Sequence, residues 1–157
     1  MRDSFTKVRV VVADDHPLFR EGLVRALTGS GQIEIAGEAA NGLEALELIA
    51  AHRPDVALID LQMPGLDGPQ VAAAVVRDEL PTRVLLVSAH ADAALVYHAL
   101  QQGAAGYLPK ESSRSEIVTA VLDCAAGRDV VAPELASGLA AEIRRRACPS
   151  SVTLLPS

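Results

Sequence analysis

The stretch VRVVVADDHP, residues 8–17, is an apolar, β-branched run that ends abruptly in two acids, a histidine and a proline. An apolar run of this length with such a boundary predicts a buried β-strand. Further along the chain, similar runs recur, and helical patterns lie between them. The predicted strands span residues 8–13, 33–36, 56–59, 84–87 and 106–108.

Strict alternation of short strands and helices predicts a parallel sheet with helices on both faces. Two helix starts are indicated by a capping residue followed three positions later by Glu: Asn41 with Glu44, and Ser113 with Glu116. We therefore expect an α/β fold with a flavodoxin-like, doubly wound, five-stranded parallel sheet in the order 2-1-3-4-5 and five helices. In such a sheet, ligands bind beyond the carboxyl ends of the strands.

Composition argues against several classes of function. A net charge of -6 and a pI near 5.1 argue against a protein that binds DNA by itself, because the basic surface for phosphate contacts is missing. Cys124 and Cys148 lack the spacing of a zinc site or a disulfide framework, which favours a reducing cytoplasm. No apolar run reaches the roughly 18 residues that span a bilayer, so we expect no membrane association.

Five polar residues interrupt the apolar pattern where predicted strands end: Asp14, Asp15, Asp60, Ser88 and Lys110. The carboxyl ends of parallel strands share one edge of the sheet, so these side chains should meet there. Three converging carboxylates repel one another unless they take up protons or hold a cation. Oxygen-only ligands, with no His or Cys among them, favour Mg²⁺.

A metal site, a lysine and a hydroxyl together suit a transferring phosphoryl group. Asp60 ends the most apolar central strand, which makes it the best candidate for a carboxylate nucleophile. Taken singly, each residue has a commoner explanation: a helix cap for Asp15 before Pro17, a turn residue for Ser88, a surface charge for Lys110. Their order on successive strand ends gives the pattern its specificity.

These motifs resemble a known family. The segments DDHP at 14–17, DLQMPGLDG at 60–68 and YLPK at 107–110, with Ser88 between them, resemble response-regulator receiver domains over about residues 7–128. The run DHPLFREGL at 15–23 is most similar to the NarL/FixJ type of transcriptional regulator.

The resemblance implies that Asp60 accepts a phosphoryl group from a histidine kinase. It implies that Asp15 ligates Mg²⁺ directly, Asp14 mainly through water, and that the backbone carbonyl of Gln62 completes the protein ligands. Gln62 and His90 stand where the family tunes the lifetime of the aspartyl phosphate. The chain would be a phosphoacceptor that assists its own phosphoryl transfer and dephosphorylation, and not an enzyme in the usual sense.

The same resemblance assigns the switch. Lys110 would pair with the phosphoryl oxygens, Ser88 would turn to hydrogen-bond them, and Tyr107 would move between outward and inward rotamers. Many receivers have a cis prolyl bond after this lysine, whereas here Pro109 precedes it and Glu111 follows, so the Lys110–Glu111 geometry stays open.

The last residues predict a linker. Residues 133–146 have helical periodicity and resemble the linker helix of the NarL/FixJ type. We expect a receiver domain at 1–128 and, at 129–157, a linker helix and tail towards a helix-turn-helix output domain that is missing from this chain and would make the DNA contacts. Phosphorylation is expected to favour a homodimer. The alternatives are a stand-alone receiver that docks to a partner or drains phosphate, and a pseudo-receiver that works without phosphorylation.

Two rival classes fit less well. An aspartate-nucleophile phosphatase needs a second acid two residues after its nucleophile, and Gln62 stands there. A nucleotide or flavin binder needs a glycine-rich loop after the first strand, where this chain has Asp14 and Asp15.

Overall fold

The computed structural model describes residues 7–89, 93–131, 138 and 140–144. It shows a parallel sheet with helices on both faces. The strands are β1 Val8–Ala13, β2 Ile33–Ala39, β3 Val56–Asp60, β4 Arg83–Ser88, β5 Gly106–Pro109 and β6 Val130–Val131. The helices are α1 Pro17–Gly29, α2 Gly42–His52, α3 Gly68–Arg77, α4 Ala93–Gln101 and α5 Arg114–Ala125.

The strand order is β2-β1-β3-β4-β5-β6, and every pairing is parallel. The predicted flavodoxin-like fold and the order 2-1-3-4-5 are confirmed, and one short strand is added at the edge beside β5. Sequence reading missed β6 because two residues carry no detectable periodicity.

Each strand contributes to two cores because successive side chains point to opposite faces of the sheet. Val10 and Val12 of β1 pack in the core that includes Leu27 of α1. Val11, between them in sequence, packs in the core that includes Ile49 of α2. β3 is buried along its whole length, as expected for the centre of a sheet covered on both faces.

Helix starts follow the predicted capping pattern. The Asn41 side chain accepts a hydrogen bond from the Glu44 N–H at 2.9 Å, and Ser113 and Glu116 form a reciprocal capping box. Asp67 caps α3 in the same way. These caps fix the directions of helices that begin at the carboxyl edge of the sheet.

Residues 138 and 140–144 are helical and lie within the predicted linker helix. The rest of that helix and the tail to residue 157 lie outside the described residues. Within the part of the chain that the structure describes, no helix is both long and apolar enough to cross a membrane.

Candidate functional site

The three predicted carboxylates meet at the carboxyl edge of the sheet. Asp14, directly after β1, is fully buried, and Asp60, the last residue of β3, is 4% exposed. Asp15 is more open to solvent. One potential ligand atom from each of Asp14, Asp15, His16 and Asp60 lies within 4.8 Å of the others.

Lys110 lies between the two buried acids. Its Nζ is 3.0 Å from Asp14 Oδ2 and 3.1 Å from Asp60 Oδ2. Burial acts to lower the pKa of Lys110, but its hydrogen bond to Asp60 and the charge attraction of both carboxylates outweigh that effect, so the pKa is raised. The ammonium therefore stays charged and holds the ends of β1, β3 and β5 together.

Asp60 occupies an environment that disfavours its charge. Burial and the neighbouring Asp14 carboxylate raise the pKa of Asp60, against the opposing effects of the Gln62 N–H and Lys110. The Gln62 N–H donates to Asp60 Oδ1 at 3.2 Å. The Asp60 carboxylate is therefore held in one position, and a nearby cation would stabilise its charged form.

The donor set fits a divalent metal. Asp14 Oδ2 is buried and makes no hydrogen bond of good geometry, although the Lys110 ammonium is near it. The cluster holds three carboxylates, and the Lys110 ammonium contacts two of them, so one divalent ion would balance the local charge. Carboxylate oxygens are the ligands that Mg²⁺ prefers.

His16 is the residue of this cluster that sequence reasoning left out. Its Nδ1 lies 3.2 Å from Asp14 Oδ1 and 3.1 Å from Asp15 Oδ1. His16 is the N-cap of α1, with extended backbone, and its N–H donates to Asp14 Oδ1 at 2.7 Å. Asp15 therefore does not occupy the cap position, and Pro17 is the first residue of the helix. The one sequence signal was adjacency to the acid pair.

Helix α1 supplies two further neighbours. The Phe19 ring lies under Lys110, with Nζ 4.6 Å from the ring centroid, a cation–π contact. Arg20 Nη1 donates to the Asp14 carbonyl at 2.7 Å, and Arg20 Nε lies 3.6 Å from Glu38 at the end of β2. The sequence indicated no role in the site for either residue.

The predicted switch residues lie on the adjacent strands. Ser88 ends β4 and is buried, and its carbonyl accepts hydrogen bonds from the Lys110 N–H and from the Tyr107 hydroxyl, both at 3.0 Å. Tyr107 is 4% exposed, so its ring points inward. Among the described residues all peptide bonds are trans, including Lys110–Glu111. His90 lies outside the described residues.

The loop after β3 is held by glycines at the starts of two helices. A Cβ on Gly68 would lie 3.0 Å from the Asp60 carbonyl oxygen, and a Cβ on Gly42 would lie 2.0 Å from the Leu66 carbonyl oxygen. Gly65 adopts a positive φ of 77° within the loop. These close backbone contacts fix the loop that carries Gln62 beside Asp60.

This parallel sheet, with an acidic cluster and a lysine at its carboxyl edge, defines a class of signalling domain. A sequence profile of the response regulator receiver domain matches residues 10–122, and the chain belongs to this family. Its relatives place it in the NarL/LuxR type.

Two relatives of this chain are transcriptional regulators by name. The chain is 69% identical over 148 residues to the Probable transcriptional regulatory protein NarL of Mycobacterium tuberculosis, a match that covers 94% of this chain and 68% of that protein. It is 35% identical over 139 residues to the transcriptional regulatory protein DegU of Brevibacillus brevis, covering 88% of this chain and 59% of that protein. The chain thus spans about two thirds or less of the length of these relatives.

Solved structures of response regulators superpose on this chain. The signal receiver domain of NarL from Mycobacterium tuberculosis superposes with a TM-score of 0.77 at 70% identity, covering 78% of this chain and 98% of that one. A LuxR-family response regulator from Aurantimonas sp. SI85-9A1 superposes with a TM-score of 0.81 at 31% identity, covering 87% and 98%.

Proposed function

We propose that this receiver accepts a phosphoryl group on Asp60 from a histidine kinase and, in response, changes conformation to control transcription. The observation that carries the proposal is the buried Asp60 carboxylate, 3.1 Å from Lys110 Nζ and beside the acid pair at the end of β1. A metal site, a fixed ammonium and a carboxylate nucleophile are what phosphoryl transfer requires, because its catalysis is mostly positioning and charge neutralisation.

In the proposed step, an Asp60 carboxylate oxygen bonds to phosphorus as the phosphorus–nitrogen bond of the donor phosphohistidine breaks. The bonding electrons return to the departing imidazole. Lys110, already 3.1 Å from Asp60, would pair with the phosphoryl oxygens. Mg²⁺, held by Asp14, Asp15 and Asp60 with the Gln62 carbonyl, would supply the remaining charge neutralisation.

The proposed switch connects this chemistry to the edge of the sheet. The Ser88 hydroxyl would hydrogen-bond the phosphoryl group, and Tyr107 would exchange between the observed inward rotamer and an outward one. Added phosphoryl charge would thereby bias two conformations of β4, β5 and the segment between them. Phosphorylation would favour a homodimer.

The proposed architecture divides at residue 128, with a linker towards a DNA-binding output domain outside these residues. The names of the NarL and DegU relatives support a role in transcription. The acidic net charge of -6 supports assigning the DNA contacts to another domain.

Intact-mass analysis after incubation with Mg²⁺ and a small phosphodonor tests the proposal. We expect one phosphoryl adduct, mapped to Asp60, that disappears with a chelator and in Asp60→Asn. The matched control is Asp78→Asn, an exposed acid at the end of α3 that pairs with Arg77, which should be labelled like the wild type. Unchanged labelling of Asp60→Asn would place the phosphoacceptor elsewhere, and no adduct in a folded sample would favour a receiver that signals without phosphate.

A further inference from the structure

The His16 imidazole lies against the acidic cluster, and its presence changes the chemistry of the site. We infer that His16 Nδ1 is a ligand of the bound cation, and that this nitrogen makes the site select a first-row transition cation of the Mn²⁺ and Co²⁺ class over Mg²⁺. This inference rests on the proposed cation site and is independent of whether Asp60 is phosphorylated.

The first support is the spacing of the donor atoms. In an octahedral complex with bonds of roughly 2.1–2.2 Å, neighbouring ligand atoms are about 3.0 Å apart. Nδ1 of His16 lies 3.2 Å from Asp14 Oδ1 and 3.1 Å from Asp15 Oδ1. The imidazole therefore already occupies a position beside each acid that adjacent ligands of one cation would take.

The second support is the division of the carboxylate oxygens. Lys110 Nζ faces the Oδ2 atoms of Asp14 and Asp60. His16 Nδ1 instead contacts Oδ1 of Asp14, through a hydrogen bond, and Oδ1 of Asp15. The ammonium therefore does not occupy the position beside His16, and a cation bound there would meet oxygen and nitrogen donors together.

The backbone directs His16 to this place. Its extended N-cap conformation and the 2.7 Å hydrogen bond from its N–H to Asp14 Oδ1 fix the main chain beside the acids, and Pro17 restricts the next residue. The His16 side chain is 69% exposed, so water can reach the remaining coordination positions and little desolvation opposes metal binding.

The chemical consequence is a shift in selectivity. Carboxylate and water ligands suit Mg²⁺ and Mn²⁺, whereas imidazole suits later transition metals and contributes little to Mg²⁺. Loss of the imidazole should therefore weaken Mn²⁺ binding, and Co²⁺ binding more strongly, while Mg²⁺ binding stays close to that of the wild type.

Metal titrations and pulsed electron paramagnetic resonance of the full chain with Mn²⁺ test this inference. We expect a nitrogen coupling to bound Mn²⁺ that is lost in His16→Ala and in His16→Asn, where Asn is a residue type that suits the N-cap position. Co²⁺ affinity, measured by calorimetry, should fall about tenfold or more in both variants, comparable to the loss of other metal-supporting groups. His98→Ala, an exposed histidine on α4, is the matched control and should keep the coupling and the affinity.

Two outcomes would overturn the inference. Bound Mn²⁺ without nitrogen coupling in the wild type would mean that His16 only hydrogen-bonds the acids. Equal Co²⁺ affinities for the wild type and both His16 variants would remove the claim of selectivity. In either case Mg²⁺-dependent labelling of Asp60 would stand, whereas failure of all metals to bind would remove the cation site of the proposed function itself.

Discussion

The substitution Gly42→Ala should destabilise the protein through the loop beside Asp60. A Cβ at position 42 would lie 2.0 Å from the Leu66 carbonyl oxygen and 2.6 Å from Leu66 Cβ. Because an ordinary carbon–oxygen contact is about 3.3 Å, loop and helix would have to separate by roughly 1.3 Å. Overpacking of this kind costs about 1–3 kcal/mol, and we expect about 2 kcal/mol because the obstacle includes backbone.

The same substitution at Gly22 is the matched control, with the opposite expected sign. Gly22 lies inside α1, is exposed, and an added Cβ there would meet nothing within 4 Å. Alanine is favoured over glycine in a helix interior by about 0.8–1 kcal/mol, so Gly22→Ala should be more stable than the wild type.

Urea unfolding followed by far-ultraviolet circular dichroism measures both effects. In Gly42→Ala we also expect less stabilisation by Mg²⁺, because the displaced loop carries the Gln62 carbonyl, which we propose as a ligand of this ion. Wild-type stability in Gly42→Ala would refute the reasoning, since it would mean that the loop around Leu66 moves aside without cost. A loss of stability in Gly22→Ala as well would mean that alanine is poorly tolerated for reasons other than this contact.

Phe19→Leu removes the ring face under Lys110, a contact of about 1 kcal/mol, and should slow labelling by a small phosphodonor about fivefold; an unchanged rate would contradict it. Asp60→Asn should stabilise the metal-free protein at neutral pH, because burial and Asp14 raise the pKa of Asp60 and so disfavour its charged form in the folded state. The folded state then binds this proton more tightly than the unfolded state, so wild-type stability falls as pH rises through the raised pKa. In denaturant titrations, the difference in free energy of unfolding between the variant and the wild type should be small in acid and should widen as pH rises through the raised pKa. A difference that narrows over this pH range would contradict the prediction. Tyr107→Phe deletes a buried hydrogen bond and should cost about 1 kcal/mol in thermal unfolding, and an equal melting temperature would speak against that bond.

Much of the fold could be predicted because its signals are local. The apolar run before Asp14 and the fully buried run before Asp60 each identify a strand from adjacent residues alone. Parallel pairing then brings strand ends to one edge, so the meeting of the acids with Lys110 follows from topology without knowledge of any side-chain position.

The remainder depends on orientation, which no local pattern contains. The direction of the His16 side chain follows from the N-cap backbone and from Pro17, and it brings a nitrogen atom to a cluster in which the sequence indicated oxygen atoms alone. The contact between Phe19 and Lys110 depends on how closely α1 approaches the end of β5. β6 is too short to show a period, and its position follows only from pairing with β5.

The Ser88 carbonyl has two donors, and this removes one cost of the proposed rotation of Tyr107. If the ring rotates outward, the Ser88 carbonyl keeps its hydrogen bond from the Lys110 N–H, so it is not left without a donor. Water can hydrogen-bond the Tyr107 hydroxyl in the outward position. The main remaining cost is exposure of the ring, which is 4% exposed in the inward position, and loss of such burial costs about 1.5–3 kcal/mol. The outward state of the proposed switch would then be the minor one before any signal arrives, and phosphorylation at Asp60 would have to supply a bias of about 2–3 kcal/mol to change which state predominates.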